Sequence, residues 1–241
     1  MGLNIIVGFF VAILLVVVIL IIKGKDIRLF ICEKRYGKYS SPFVKMFKRI
    51  YHANPYPYAA KSEIVEYISA LREIKDVKQC NTHLTIAFGD YQSEINKINV
   101  VKDNGEPHSF SIREIGAYTI KIYGYNVSIF GMNALALYFV YKNQLFLGEY
   151  IIKRENQKVD YNYITQKMQK KYCSDSIVVQ DDRFLIRDAN ASQILLLDDG
   201  FSVRLKYFNF ENNNILNLLF AEQDKIRNAF QQHSNEYSVD L

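Results

Sequence analysis

An uninterrupted apolar run near the N-terminus is the strongest pattern in the chain. Residues Ile5 to Ile22 carry no polar side chain over eighteen successive positions. As a helix the run spans about 27 Å, which is close to the hydrocarbon thickness of a bilayer. A buried core helix rarely lacks polar residues on every side, and a signal peptide needs basic residues before its apolar run. The pattern predicts a short tail over residues 1–4 and a transmembrane helix over residues 5–22.

Charge is distributed unevenly around this run. Residues 1–59 hold nine basic and two acidic residues, whereas residues 60–241 hold 21 basic and 23 acidic residues. All the basic residues of the first segment follow the apolar run, so the positive-inside rule predicts a single-pass protein whose globular part is cytoplasmic. The same residues favour contact with anionic lipid headgroups. The nearly neutral remainder argues against nucleic acid as a partner, because nucleic acid requires a basic face.

A helical period of apolar residues lies within the basic juxtamembrane segment, residues 23–58, which ends in a proline-rich connector. Ser41 and Pro42 form a predicted helix start, and Pro55 lies just beyond the predicted end. This amphipathic helix either lies in the headgroup layer or packs its apolar face on the globular domain. The residues predicted to face the membrane surface are Lys23, Lys25, Arg28, Lys34, Arg35, Lys38, Phe43, Lys45, Phe47, Lys48 and Arg49.

Residues 59–241 alternate between helical and strand patterns. They predict a globular domain of the α+β class, with helices packed on an antiparallel sheet. The Asp199-Gly200 pair predicts a tight hairpin turn. Helices are predicted over residues 62–77, 160–172 and 214–231. Strands are predicted over residues 83–88, 118–123, 127–130, 134–141, 145–152, 176–179, 184–187, 193–197 and 201–208.

The two halves of this domain resemble each other at an offset of 57 residues. Asn133-Ala134 and Asn190-Ala191 share this offset, as do Tyr150 and Tyr207. The similarity predicts two duplicated helix-plus-sheet units divided near residue 155, or else a chance likeness between two antiparallel sheets. Either alternative leaves the class as α+β.

Motifs that carry chemistry are sparse. The sequence has no glycine-rich phosphate loop, nucleophile elbow, HExxH or EF-hand pattern, so no cofactor or metal is expected. Cys80 and His83 could form a nucleophile pair or part of a zinc site, but a buried thiol and a strand histidine explain them more simply. The acidic pairs Asp181-Asp182 and Asp198-Asp199 lie at predicted turns, where aspartate bonds the local backbone. The tyrosines that could line a binding face, or else the core, are Tyr118, Tyr123, Tyr125, Tyr138, Tyr141 and Tyr150.

These observations favour a membrane-tethered binding or scaffold protein that holds a protein partner at the cytoplasmic face without enzymatic activity. An immunity or inhibitor protein that captures a toxin or enzyme near the membrane is the second hypothesis, because small antiparallel sheets present broad faces. A membrane-tethered enzyme that uses Cys80 and His83 is the third. It requires these two side chains to lie within hydrogen-bond reach in a pocket.

Overall fold

The computed structural model describes residues 18, 23–59, 87–88, 91–92, 99–155, 157–172, 183–187, 192–209 and 214–237. The chain divides into two compact units, Met1–Pro57 and Tyr58–Leu241. Apart from Val18, the predicted transmembrane helix lies outside the described residues, and so does the helix predicted over residues 62–77.

Two helices form the described part of the first unit. Helix α1 covers residues 23–36 and helix α2 covers Ser41–Tyr51. The Tyr51 hydroxyl donates a hydrogen bond to the Asp26 carboxylate, so the end of α2 lies beside the start of α1. The two helices therefore form an antiparallel helical hairpin.

The cap of α2 is Ser40 rather than the predicted Ser41. The Ser40 hydroxyl accepts a hydrogen bond from the Phe43 amide at 3.3 Å, and its backbone is extended, as a helix start requires. The helix ends at His52, whose left-handed backbone lets its amide donate to the Lys48 carbonyl. The sequence thus located this helix but placed its cap one residue too late.

Nine strands and three helices are described in the second unit. The strands are Ala87–Phe88 (β1), Tyr91–Gln92 (β2), Ser109–Ile115 (β3), Tyr118–Ile129 (β4), Met132–Tyr141 (β5), Gln144–Lys153 (β6), Arg183–Arg187 (β7), Ser192–Asp198 (β8) and Ser202–Asn209 (β9). The helices are Val100–Asn104 (α3), Tyr161–Tyr172 (α4) and Asn214–Tyr237 (α5). β1 pairs with β2, and the other strands form one seven-stranded antiparallel sheet in the order β3-β4-β5-β6-β9-β8-β7.

One face of the seven-stranded sheet packs against α5. The strands and the helix share a buried cluster that includes Ile122, Leu137, Leu195, Leu216 and Leu219. α4 and β1 lie on the other face, because Tyr172 of α4 hydrogen-bonds to Tyr207 and Phe88 of β1 contacts the same ring. A sheet packed on both faces by helices and a small hairpin is of the α+β class, which confirms that prediction.

Phe88 fills a socket made by three tyrosines. The ring centroids of Tyr138, Tyr150 and Tyr207 lie 4.8, 4.5 and 5.3 Å from that of Phe88. A Cβ added to Gly148 would overlap Cγ of Phe88, so only glycine leaves room for this ring. Two tyrosines that the sequence left open between a binding face and the core therefore pack on Phe88.

The sheet is joined at its middle by the pairing of β6 with β9. Gly148 pairs with Tyr207, and Tyr150 pairs with Leu205. At an offset of 57 residues, position 148 corresponds to 205 and position 150 corresponds to 207. The two pairs are therefore equivalent, with the roles of β6 and β9 exchanged. The same offset was read from the sequence. The meander β4-β5-β6 thus meets the meander β7-β8-β9 with an approximate two-fold relation.

One row of cross-strand neighbours crosses the whole sheet on the α5 face. It passes through Ser109, Gly124, Leu137, Glu149, Lys206, Leu195 and Leu185. Leu137 of β5 and Leu195 of β8 occupy equivalent places in the two meanders but lie 58 positions apart in sequence. The separation is larger still for the equivalent residues of β4 and β7. The offset predicted from the sequence therefore describes only the two central strands.

Candidate functional site

The residues predicted to face the membrane surface all belong to the helical hairpin. Five of the cations lie in α1, three lie in α2, and Lys38 lies in the turn between them. Except for Lys38, which is half-buried, these cations are exposed. The structure therefore brings the predicted basic residues together on one small unit.

The two aromatic residues predicted to contact lipid are less available than the cations. Phe43 is only 6% exposed, and Phe47 is half-buried. The ring centroid of Phe47 lies 6.3 Å from that of Phe43 and 4.7 Å from that of Tyr51, so the three rings run along one side of α2. An apolar face of α2 is present, as the period predicts, and much of it is covered.

The most exposed large apolar side chain described in the second unit lies at the β8–β9 tip, residues 198–202. Phe201 is 86% exposed. Its backbone is held on both sides, because its amide donates to the Asp199 carboxylate at 3.0 Å and its carbonyl accepts from the Arg154 amide at 3.0 Å. Asp199 also accepts from the Ser202 amide at 2.6 Å. The tip therefore presents an aromatic ring on a fixed backbone.

Arg154 ties this tip to the loop after β6. Its guanidinium donates to both Asp198 oxygens, at 2.5 and 2.7 Å, and these bonds hold the pKa of Asp198 below its usual range. Gln157 bonds to the Asn133 amide and carbonyl, which joins the loop to the β4–β5 turn. The loop lines an open cleft of about 580 Å³ formed by Arg154, Gln157, Lys158, Val159, Asp160 and Tyr161. Tip and loop together form a preorganised rim.

An ion pair lies buried at the centre of the sheet. Glu149 is fully buried and Lys206 is 3% exposed, and the Lys206 Nζ lies 4.0 Å from Glu149 Oε1. Arg204 approaches the same oxygen at 3.7 Å, yet neither Glu149 oxygen accepts a hydrogen bond from the described residues. Burial raises the pKa of Glu149 to about 7, although Lys206 and then Arg204 lower it. Burial likewise lowers the pKa of Lys206, and Glu149 opposes that change.

The other sequence candidates have different outcomes. Cys80, His83 and the pair Asp181-Asp182 lie outside the described residues. Asp198 and Asp199 bond to the backbone of their own turn, as predicted for turn aspartates. Within the described ranges, no group of histidine, cysteine and acidic residues is arranged to hold a metal ion.

Sequence reasoning missed both the Phe201 ring and the Glu149–Lys206 pair. It made Phe201 the first residue of the strand predicted over residues 201–208, because the apolar run of β9 begins there. The observed strand begins at Ser202, and Phe201 belongs to the turn. The pair carried a signal that was available: Glu149 and Lys206 are themselves separated by the repeat offset of 57. The pairing of β6 with β9 places these two equivalent positions directly opposite each other.

No helix among the described residues is both long and apolar enough to cross a membrane. Comparison of the chain with models of known protein families, with curated proteins and with solved structures finds no match.

Proposed function

We propose that the chain is a single-pass membrane-anchored binding or scaffold protein that presents its α+β domain to a protein partner at the cytoplasmic face. The proposal has a membrane part and a partner part. Each is supported by separate features of the chain and is tested separately.

The membrane part is supported by the order of apolar and basic residues. Eighteen apolar positions are followed by the helical hairpin, and the hairpin carries all nine basic residues found in positions 1–59. Moving charged side chains through a bilayer is costly, so a basic segment stays on the side where it is made. This order favours a cytoplasmic location for everything after residue 22.

The exposure of Phe201 is the observation that supports the partner part of the proposal. Burying a phenylalanine side chain on association is worth about 1.5–3 kcal/mol, and aromatic residues are enriched in the cores of protein interfaces. The hydrogen bonds from Arg154 and to Asp199 fix the backbone under this ring. A partner that covers the ring therefore does not have to order the tip first, which lowers the entropic cost of binding.

The charge of the rim points to a protein rather than to a polyanion. The cations Arg154 and Arg204 are each paired with an aspartate of the tip. Residues 60–241 together carry 21 basic and 23 acidic residues. A surface of this kind is recognised by shape and apolar contact, and we expect the partner to offer an apolar pocket for Phe201.

Photocrosslinking of the full chain in its own cells tests the partner part. A benzophenone side chain placed at position 201 should give a discrete crosslinked product, whereas the same probe at Lys225 of α5, which is also exposed, should not. Phe201→Ala should weaken binding of the partner identified by that crosslink by roughly 30-fold, equivalent to about 2 kcal/mol, while Tyr163→Ala should leave its binding unchanged. Equal labelling from positions 201 and 225 would remove the support for this surface.

Alkaline extraction and thiol labelling test the membrane part. The uncleaved chain should remain with membranes in alkaline carbonate. A Phe201→Cys variant should react with an impermeant maleimide only after the cells are permeabilised. Release by carbonate would refute the anchor, and labelling in intact cells would reverse the orientation.

The two-fold relation of the sheet supports a further part of the proposal, namely that the two meanders arose by duplication. The support is the β6–β9 register, in which positions 57 apart exchange places. Sequences of relatives provide the test. Equivalent positions of the two meanders should resemble each other more closely in some relatives than in this chain, and consistently unrelated halves would reject duplication.

A further inference from the structure

Helix α1 carries an apolar ridge that nothing in the described chain covers. At 100° per residue, Ile27, Phe30 and Ile31 fall within a single arc of about 100°. These three side chains are 37%, 58% and 58% exposed. The opposite side of the helix carries Cys32, which is buried. We call Ile27, Phe30 and Ile31 the α1 ridge.

Cations flank the α1 ridge. Lys23 and Lys34 lie within the same arc of the helix, and both are exposed. The Lys34 Nζ lies 5.5 Å from the centre of the Phe30 ring, so this cation sits directly at the apolar surface. An exposed apolar helix face with a lysine at each end combines the residue types of an interfacial membrane helix.

The apolar side of α2 offers less free surface than this ridge. Phe43 is buried, and the Tyr51 hydroxyl is bonded to Asp26 of α1. The aromatic residues that the sequence placed at the membrane are therefore partly occupied within the chain. The ridge on α1, which the sequence did not single out, is open to a partner.

Charge determines which partner fits. Residues 1–59 carry nine basic and two acidic residues, so two copies of the helical hairpin would repel each other. An anionic lipid surface is complementary, and each basic residue close to it adds to the attraction. The ridge also follows directly in sequence after the proposed anchor, which holds it near the bilayer.

We propose that α1 binds along an anionic membrane surface, with Ile27, Phe30 and Ile31 inserted at the boundary between headgroups and acyl chains. This inference rests on the proposed membrane anchor for its location, but it names a separate contact. It replaces α2 with α1 as the helix that inserts apolar side chains.

The absence of tryptophan from the chain makes the contact measurable. Phe30→Trp creates a single reporter in the ridge, and Phe201→Trp creates a matched reporter at the exposed β8–β9 tip. Each full-length variant is reconstituted into vesicles of phosphatidylcholine, with or without phosphatidylserine, that contain lipids brominated on their acyl chains. With phosphatidylserine present, we expect the Phe30→Trp emission to be blue-shifted and quenched several-fold more strongly than the Phe201→Trp emission. High salt should reduce this difference.

Two results would overturn the inference. Equal quenching of the two reporters would mean that the ridge does not enter lipid. A blue-shifted Phe30→Trp emission without quenching by bromine would mean that protein, such as a second copy, covers the ridge. Failure of the anchor is distinguishable: the chain would then be released by carbonate, while quenching of Phe30→Trp on phosphatidylserine vesicles would still support the α1 contact.

Discussion

Replacing Lys206 by methionine tests the buried ion pair at the centre of the sheet. Methionine keeps an unbranched apolar side chain of nearly the same length as the lysine stem and removes the charged ammonium group. In the variant, Arg204 at 3.7 Å is the remaining cation beside the Glu149 carboxylate within the described residues. The loss of one partner from a buried pair leaves a charge in a poorly solvated place.

The pH dependence of the effect follows from the pKa of Glu149. Burial raises this pKa from 4.5 to about 7, so the folded state holds the proton more tightly than the unfolded state. The contribution of Glu149 to stability is therefore greatest below pH 4.5, falls as the pH rises from 4.5 to about 7, and is smallest above pH 7. A shift of this size corresponds to about 3 kcal/mol.

Removal of the Lys206 charge raises the pKa of Glu149 further, because the attraction of Lys206 currently lowers it. We expect Lys206→Met to reduce the free energy of unfolding by about 3 kcal/mol at pH 8. At pH 5 the loss should be much smaller, because Glu149 is then protonated in the folded state. The double variant Glu149→Leu, Lys206→Met should be as stable as the parent or more stable at pH 8.

Urea unfolding of the full chain in a non-ionic detergent, followed by far-ultraviolet circular dichroism, provides the measurement. Lys158→Met, which removes an exposed cation, is the matched control and should change stability little at either pH. A loss for Lys206→Met that is the same at pH 5 and pH 8 would show that the missing interaction is packing rather than charge. The absence of any loss would show that the pair does not form.

Three other substitutions test separate features of the structure. Gly148→Ala should destabilise the sheet by about 1–3 kcal/mol in the same urea assay, because its Cβ would displace the Phe88 ring. Gly24→Ala is the control and should leave stability unchanged, because a Cβ there would meet nothing within 4 Å. Asp198→Asn should cost about 1 kcal/mol at pH 7 and nothing well below pH 3.8, because the lowered pKa of Asp198 stabilises the fold only while that carboxylate is ionised. Ser40→Ala should accelerate hydrogen exchange of the Phe43 amide roughly five-fold, equivalent to about 1 kcal/mol, whereas Ser41→Ala should not, which would identify the cap.

The sequence predicted the elements with clear periodicity and missed those whose inward faces are polar. β5 and β6 form the predicted hairpin, and α4 begins after Asp160, whose carboxylate accepts from the Asn162 amide. β3 was not predicted, because Ser109, Ser111 and Arg113 face the α5 side and conceal its alternation. The predicted strand at 127–130 is not separate; its first three residues continue β4.

The candidate sites were harder to predict because they depend on where strands end. Phe201 belongs to the apolar run of β9 in sequence, and only the turn bonds of Asp199 separate its ring from the strand. The α1 ridge was overlooked because Arg28 within it, and the lysines and arginines before and after it, made the segment look like a charged flank. In both cases the exposure of the side chains depends on local backbone geometry, which the amino-acid composition does not encode.

The join between β6 and β9 also imposes an order on folding. β6 is complete at Lys153, and β9 begins at Ser202, about 50 residues later. At the usual rates of translation, the edge of β6 therefore remains unpaired for about 3–10 s before β9 has been synthesised. An unpaired edge of that length is a template for association with other chains, and an inward-pointing charge is one of the devices that prevent it. Glu149 lies in the middle of that edge, so we expect its carboxylate, which weakens the finished sheet, to disfavour association of the nascent meander until Lys206 has been synthesised.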